Sequence, residues 1–135
     1  MPASDFLEDE ILDHIFSAAT FTAGVTLHVG LSTATITDST TGTSVTEPSA
    51  AYARVAVTNN ATEWPASSGG TKSNANAINF PTPTSGGWGL VTDFFIADAS
   101  SAGNIYVYGA LTISKTINEA DTVSFAVGDL DLTVT

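Results

Sequence analysis

From Ile78 to Thr135 the chain is built of short runs in which apolar and polar residues alternate, each run closed by turn-forming residues, and this rhythm confines it to antiparallel β structure. The runs are Ala77 to Phe80, Leu90 to Ala97, Ile105 to Thr112, Thr122 to Val127 and Leu130 to Val134. Between them stand Gly86-Gly87, Ser100 to Asn104, Asn118 to Asp121 and Gly128-Asp129. A period of two sends successive side chains to opposite faces of a strand, and Gly, Asn, Asp and Ser supply the backbone conformations that tight reversals need. Almost nothing reactive interrupts the pattern. A chain organised this way is mostly scaffold and surface, which points to recognition or assembly rather than chemistry.

The first segment obeys a different period. Leu7, Ile11, Leu12, Ile15 and Phe16 share one helical face and Glu8, Asp9 and Asp13 take the other, so Asp5 to Phe16 reads as an amphipathic helix. Ser4 or Asp5 caps its start, and it ends at Ala18 or Ala19, before the β-branched residues and glycine of Thr20 to Gly24. Val25, Leu27, Val29 and Leu31 alternate with Thr26, His28, Gly30 and Ser32, a first strand with one buried face. Residues 33–49 read as a long connection with an edge strand, and Tyr52 to Thr58 as a strand with Ala53, Val55 and Val57 in phase. The fold class expected is mainly β, an antiparallel β-sandwich with one N-terminal amphipathic α-helix. It forms a single domain over residues 1–135, with 1–20 the helical segment and 24–135 the sandwich.

Charge narrows the partners. Fourteen acids face only Arg54, Lys72 and Lys115, for a net charge of −11, so a phosphate-rich partner meets a repulsive field and nucleic acid is excluded. Without cysteine there is no disulfide and no thiolate metal site. No apolar run is long enough to span a bilayer and the acidic start is unlike a secretion signal, so no membrane is expected as a partner.

Candidate chemistry is thin. His14 and His28 lack a serine in a strand-to-helix Gly-x-Ser-x-Gly turn. Asp129 with Asp131, or Asp93 with Asp98, are the acid pairs that could serve as acid and base or hold a hard cation; the plain reading of Asp129 and Asp131 is solvated, outward residues. No catalytic, cofactor or metal residue is assigned. The interface candidates are the helix residues Leu7, Ile11, Ile15 and Phe16, together with Arg54, Trp64 and Trp88. Arg54 either pairs with an acid such as Glu47 or reaches a neighbouring subunit, and Trp64 either folds back over the core or anchors a partner.

Several phrases together carry a resemblance. They are Glu47-Pro48-Ser49 with Tyr52-Ala53-Arg54-Val55, Lys72-Ser73-Asn74, Phe80-Pro81, Trp88-Gly89 with Val91-Thr92, and Tyr108-Gly109-Ala110-Leu111 with Lys115-Thr116-Ile117-Asn118. With the opening helix and the closing Asp121-Thr122 to Gly128-Asp129-Leu130, the chain resembles over nearly its full length a family of small virion structural proteins of tailed bacteriophages, of tail fibre or head decoration type. The resemblance implies a β-sandwich subunit of a phage virion, assembled in the host cytoplasm, and carries no catalytic or metal residue. The expected function is non-enzymatic: first a capsid decoration subunit bridging neighbouring capsid proteins. Second comes a tail or fibre component contacting the host surface, with Tyr52, Tyr106, Tyr108 or Trp88 stacking on sugars. A polysaccharide hydrolase using paired carboxylates ranks last. The expected partners are other virion proteins and further copies of the chain, as a homo-oligomer.

Overall fold

Regular structure begins at Ser4. In the computed structural model, which describes residues 1–134, the backbone of Ser4 is extended (φ −83°, ψ 161°) and its hydroxyl accepts from the Leu7 amide at 3.3 Å, capping helix α1, Asp5–Phe16. A side-chain oxygen at this position satisfies an amide that the first turn leaves without a partner, and Asp5 and Glu8 lie at the positive end of the helix dipole. The helix ends at Phe16 rather than at Ala18 or Ala19. The Ser17 amide and hydroxyl both bond to the Asp13 carbonyl, and Ala18 turns left-handed at φ 56°.

The strands follow in the order β1 Thr26–Ser32, β2 Val55–Thr58, β3 Thr71–Ser73, β4 Ile78–Asn79, β5 Gly89–Ala97, β6 Ile105–Ile117, β7 Ser124–Phe125 and β8 Asp131–Thr133. The main sheet is antiparallel throughout, in the order β2-β1-β5-β6, with Val29 opposite Val55 on one side and Ile96 on the other. β3 pairs with β8 and β4 with β7, giving two short antiparallel ribbons that pack against one face of the sheet. The molecule is thus mainly β with one N-terminal helix, and its second layer is two ribbons rather than one broad sheet.

The core lies between these layers. Val29, Leu31, Val91, Ile96 and Ile117 of the sheet pack with Ile78, Phe80 and Leu130 from the ribbon side, and Trp64 and Trp88 join the same cluster. Burying an aliphatic or aromatic side chain of this size contributes about 1.5–3 kcal/mol before the entropy of ordering is counted. Trp88 is oriented by its indole N–H, which donates to the Ala50 carbonyl at 3.1 Å.

The alternation in the first strand predicts one buried face, and the structure departs from this. Val29, Gly30, Leu31 and Ser32 are all buried, because residues 33–49 form no edge strand and instead fold as turns over the second face. Ile36 from that connection packs with Phe95, Ala97, Ile105 and Tyr108. Adjacent residues Phe95 and Ile96 therefore point to opposite faces and are both buried. The ring of Phe95 lies across Gly30, where an added Cβ would overlap the far edge of the ring.

β6 carries an irregularity of its own. Asp93 pairs with Ala110 and Val91 with Lys115, so Leu111, Thr112, Ile113 and Ser114 stand against Thr92 alone and the strand bulges outward, exposing Ile113.

Phe95 is fully enclosed and has no room to yield. Gly30→Ala is expected to lower stability by about 1–3 kcal/mol through overpacking, read as a lower denaturant midpoint at unchanged slope. A midpoint equal to that of the unsubstituted chain would mean the ring does not lie there.

Candidate functional site

The buried polar residues Ser4, Ser32, Arg54, Asn74 and Asp93 are spent on holding the fold. Arg54, 7% exposed, forks onto Glu47 with Nε to Oε1 and Nη2 to Oε2, both at 2.9 Å. Its remaining donors reach the carbonyls of Gly42 at 2.9 Å, Ala99 at 2.8 Å and Ala102 at 2.9 Å, so every guanidinium N–H has an acceptor. Beneath it lies the ring of Phe95, 4.9 Å from the guanidinium carbon. Tyr52 extends the network: its hydroxyl donates to Glu47 Oε1 at 2.9 Å and accepts from the Leu31 amide at 2.8 Å. Burial, foremost, pushes the Tyr52 phenol well above its ordinary pKa, and the Glu47 charge beside it acts in the same direction.

Arg54, Trp64 and Trp88 were candidates for an interface, and the structure corrects their placement. Arg54 is consumed by intramolecular bonds, and both tryptophans lie in the core, Trp64 at 3% exposure. None offers an anchor on the surface of the chain. The aromatic rings considered for sugar stacking are likewise inside: Trp88, Tyr106 and Tyr108 are buried, and Tyr52 is half-buried with its hydroxyl committed.

The acid pairs separate. Asp93 is buried and accepts from the Ile36 amide at 3.2 Å, while Asp98 accepts from the Asn104 amide at 2.8 Å and closes the turn before β6. Five residues of strand put their Cα atoms about 16 Å apart, well beyond the spacing of a glycosidase pair. Asp129 lies in a turn, not a strand, and accepts from the Ala126 amide, whereas Asp131 on β8 accepts from the Ser73 hydroxyl. These carboxylates terminate turns and tie strands. Asn74, which sequence reasoning passed over, does more: buried, it bonds the Asn76 and Ala126 carbonyls and the Leu130 amide, stitching the ribbons together.

Exposed large apolar side chains occur on several elements, among them Val25, Leu90, Ile113 and Val127, but four of them fall together on the helix. Its entry is fixed to the free edge of β6: the Ser4 amide donates to the Tyr106 carbonyl at 3.0 Å, the Tyr108 amide to the Pro2 carbonyl at 3.2 Å, and the Ser4 hydroxyl to the Ile105 carbonyl. The Tyr108 hydroxyl donates to Asp38, whose carbonyl accepts the Asp5 amide. Phe6 stacks on Tyr106, centroids 6.0 Å apart and planes 7° from parallel, and Phe21 meets both rings edge-on. Past Glu10 the support ends. Every residue from Ile11 to Thr20 is exposed, Ile15 at 62% and Phe16 at 80%.

Between α1 and the end of β8 runs an open groove of about 500 Å³ whose walls include Leu7, Ile11, Leu12, Val107, Leu132 and Val134. Glu8, expected on the opposite helical face, also lines it. Of the candidates, Leu7 and Ile11 line the groove while Ile15 and Phe16 continue the apolar stripe beyond it. The contribution of Val107 and Leu132 was not legible, since only the fold brings the ends of β6 and β8 to the helix. Together these residues leave a continuous stretch of apolar surface uncovered.

Two measurements test the polar network. Arg54→Ala strands a half-buried carboxylate and three carbonyls and is expected to cost about 3–5 kcal/mol in a denaturant titration, with Arg54→Lys losing less. The folded state also keeps the Tyr52 proton where an unfolded tyrosine has released its own. The stability this provides is complete below about pH 10 and falls as pH rises further. Unfolding free energy followed from pH 9 upward is expected to fall less steeply in Tyr52→Phe; parallel curves would remove Tyr52 as the cause.

Among the described residues no helix is long and apolar enough to cross a membrane. The family profile described as Podophage GP4 fiber I protein gp80 matches residues 2–133. No curated protein matches the chain. A match over nearly the whole length, on a mainly β chain with an N-terminal helix, agrees with the virion structural family that the sequence phrases resemble. The chain belongs to the phage fibre protein family described as Podophage GP4 fiber I protein gp80.

Proposed function

We propose that the chain is a non-enzymatic structural component of a phage tail fibre, held in the particle through helix α1. The observation that carries this reading is the apolar run Ile11, Leu12, Ile15 and Phe16, left uncovered on a body whose buried acids and arginine are bonded internally. A helix of this length is marginal by itself in water, and only its first turns rest on the sheet, so its second half calls for a partner. The family description favours a fibre over the capsid decoration role that the sequence phrases ranked first. Sugar stacking by Tyr52, Tyr106, Tyr108 or Trp88 finds no support, because these rings are turned inward.

The test uses assembled particles. With Ile15→Asp and Phe16→Asp together, the chain is expected to be missing from purified virions while the isolated protein keeps its denaturation midpoint, since neither residue supports the core. Full incorporation of the double variant would overturn the attachment reading. A density map of the particle that places the chain on the capsid shell would return the decoration role to first position.

A further inference from the structure

We infer that the groove beside α1 receives an apolar segment flanked by lysine or arginine, supplied by a different virion protein and not by a second copy of this chain. This rests on the reading of α1 as the attachment point and adds the chemistry of what it attaches to. The lining of the groove is mostly apolar, through residues such as Ile11, Val107 and Leu132, and Glu8 is the one acid in it. Asp5, Asp9, Glu10 and Asp13 occupy the same helix, and no lysine or arginine occurs before Arg54. A docking segment must therefore bury its own apolar residues while bringing positive charge to the rim.

A second copy is poorly equipped for that. Its helix carries five carboxylates and no lysine or arginine, and Glu8, the one acid that lines the groove, would meet the same acidic helix on the other copy. Of the chain's own cations, Arg54 is closed in by Glu47 and three carbonyls, Lys72, cross-strand from Leu132, is turned to the Trp64 carbonyl at 3.3 Å, and Lys115 sits on the far side of the β6 bulge from Val107. His14, the remaining basic side chain on the helix, has its Nδ1 facing the Ala19 carbonyl at 3.0 Å. Like-charge juxtaposition disfavours the homotypic pairing, and complementary charge both steers and selects a basic partner. Such a contact weakens as salt screens the rim and keeps the part that comes from apolar burial.

The experiment titrates two synthetic helical peptides onto the full chain, followed by fluorescence anisotropy. Both carry leucine at helical spacing on one face; one has lysines along the flanks and the other has glutamates in their place. The lysine peptide is expected to bind about tenfold or more tightly than the glutamate peptide at low salt, with the gap closing toward molar salt. Ile11→Asp is expected to abolish binding of the lysine peptide. Glu8→Gln, which gives up a helix-dipole interaction and is expected to lower the denaturation midpoint only slightly, is expected to reduce the preference while leaving binding in place. Equal affinity for the two peptides, binding of neither, or self-association of the chain at neutral pH that Ile15→Asp abolishes would each overturn the inference. The particle test separates the two readings: loss of the Ile15→Asp, Phe16→Asp double variant from virions without any lysine preference removes this inference alone, whereas full incorporation removes the attachment reading beneath it.

Discussion

The fork between Arg54 and Glu47 is the constraint on which the rest of the molecule is arranged. Removing a guanidinium from water costs several kcal/mol, and an ion pair recovers this only when the other donors are satisfied as well. Here they are, by the carbonyls of Gly42, Ala99 and Ala102, contributed by two separate connections. The pair therefore acts as a clamp that sets where those connections lie. Gly42 is pressed so closely on Ala102 that a Cβ would overlap its carbonyl, and the Gly42 amide donates to the Gly103 carbonyl at 3.0 Å. The long segment after β1 has no strand of its own, yet the clamp, the Thr33 amide on the Thr46 carbonyl and the Ile36 amide on Asp93 fix it as a roof.

That roof changes what the sheet is. An antiparallel sheet with one wet face alternates polar and apolar residues, and covering the second face demands small or polar groups that can be satisfied in place. Gly30 leaves space for the Phe95 ring, and the Ser32 hydroxyl bonds the Ala34 and Thr46 carbonyls. Residues that look solvent-facing on the page are thus interior. Tyr108 behaves similarly, sealing the face with its ring while its hydroxyl reaches Asp38.

This explains which parts of the structure were legible beforehand. The strands from Leu90 onward, the turns between them and the Ser4 cap follow from local rules of period and turn chemistry, but the lengths do not: β6 runs on past Thr112 to Ile117, and the run Thr122 to Val127 pairs only at Ser124–Phe125. Both faces of β1 being buried, the outward bulge of Leu111 to Ser114 and the inward setting of Trp64, Trp88 and Arg54 depend on contacts between residues far apart in the chain, which no local pattern encodes. The carboxylates mislead for a related reason. A pair such as Asp93 and Asp98 looks like acid–base machinery in one dimension, whereas each is taken by a backbone amide of its own neighbourhood. At the candidate site the apolar stripe of α1 was legible, but the opposing wall of Val107, Leu132 and Val134 was not, because it comes from strands joined only in the fold.

The same scarcity of cations governs the inside and the outside. With three lysines and arginines against fourteen acids, the chain places its only arginine within the body, where one charge organises two connections at once. The exterior is then left strongly acidic. The helix adds five of those acids and no lysine or arginine beside its uncovered apolar stripe. On the reading inferred above, the same imbalance favours a basic partner in the groove beside α1, which suits a subunit whose place in a larger particle is set by what it docks on.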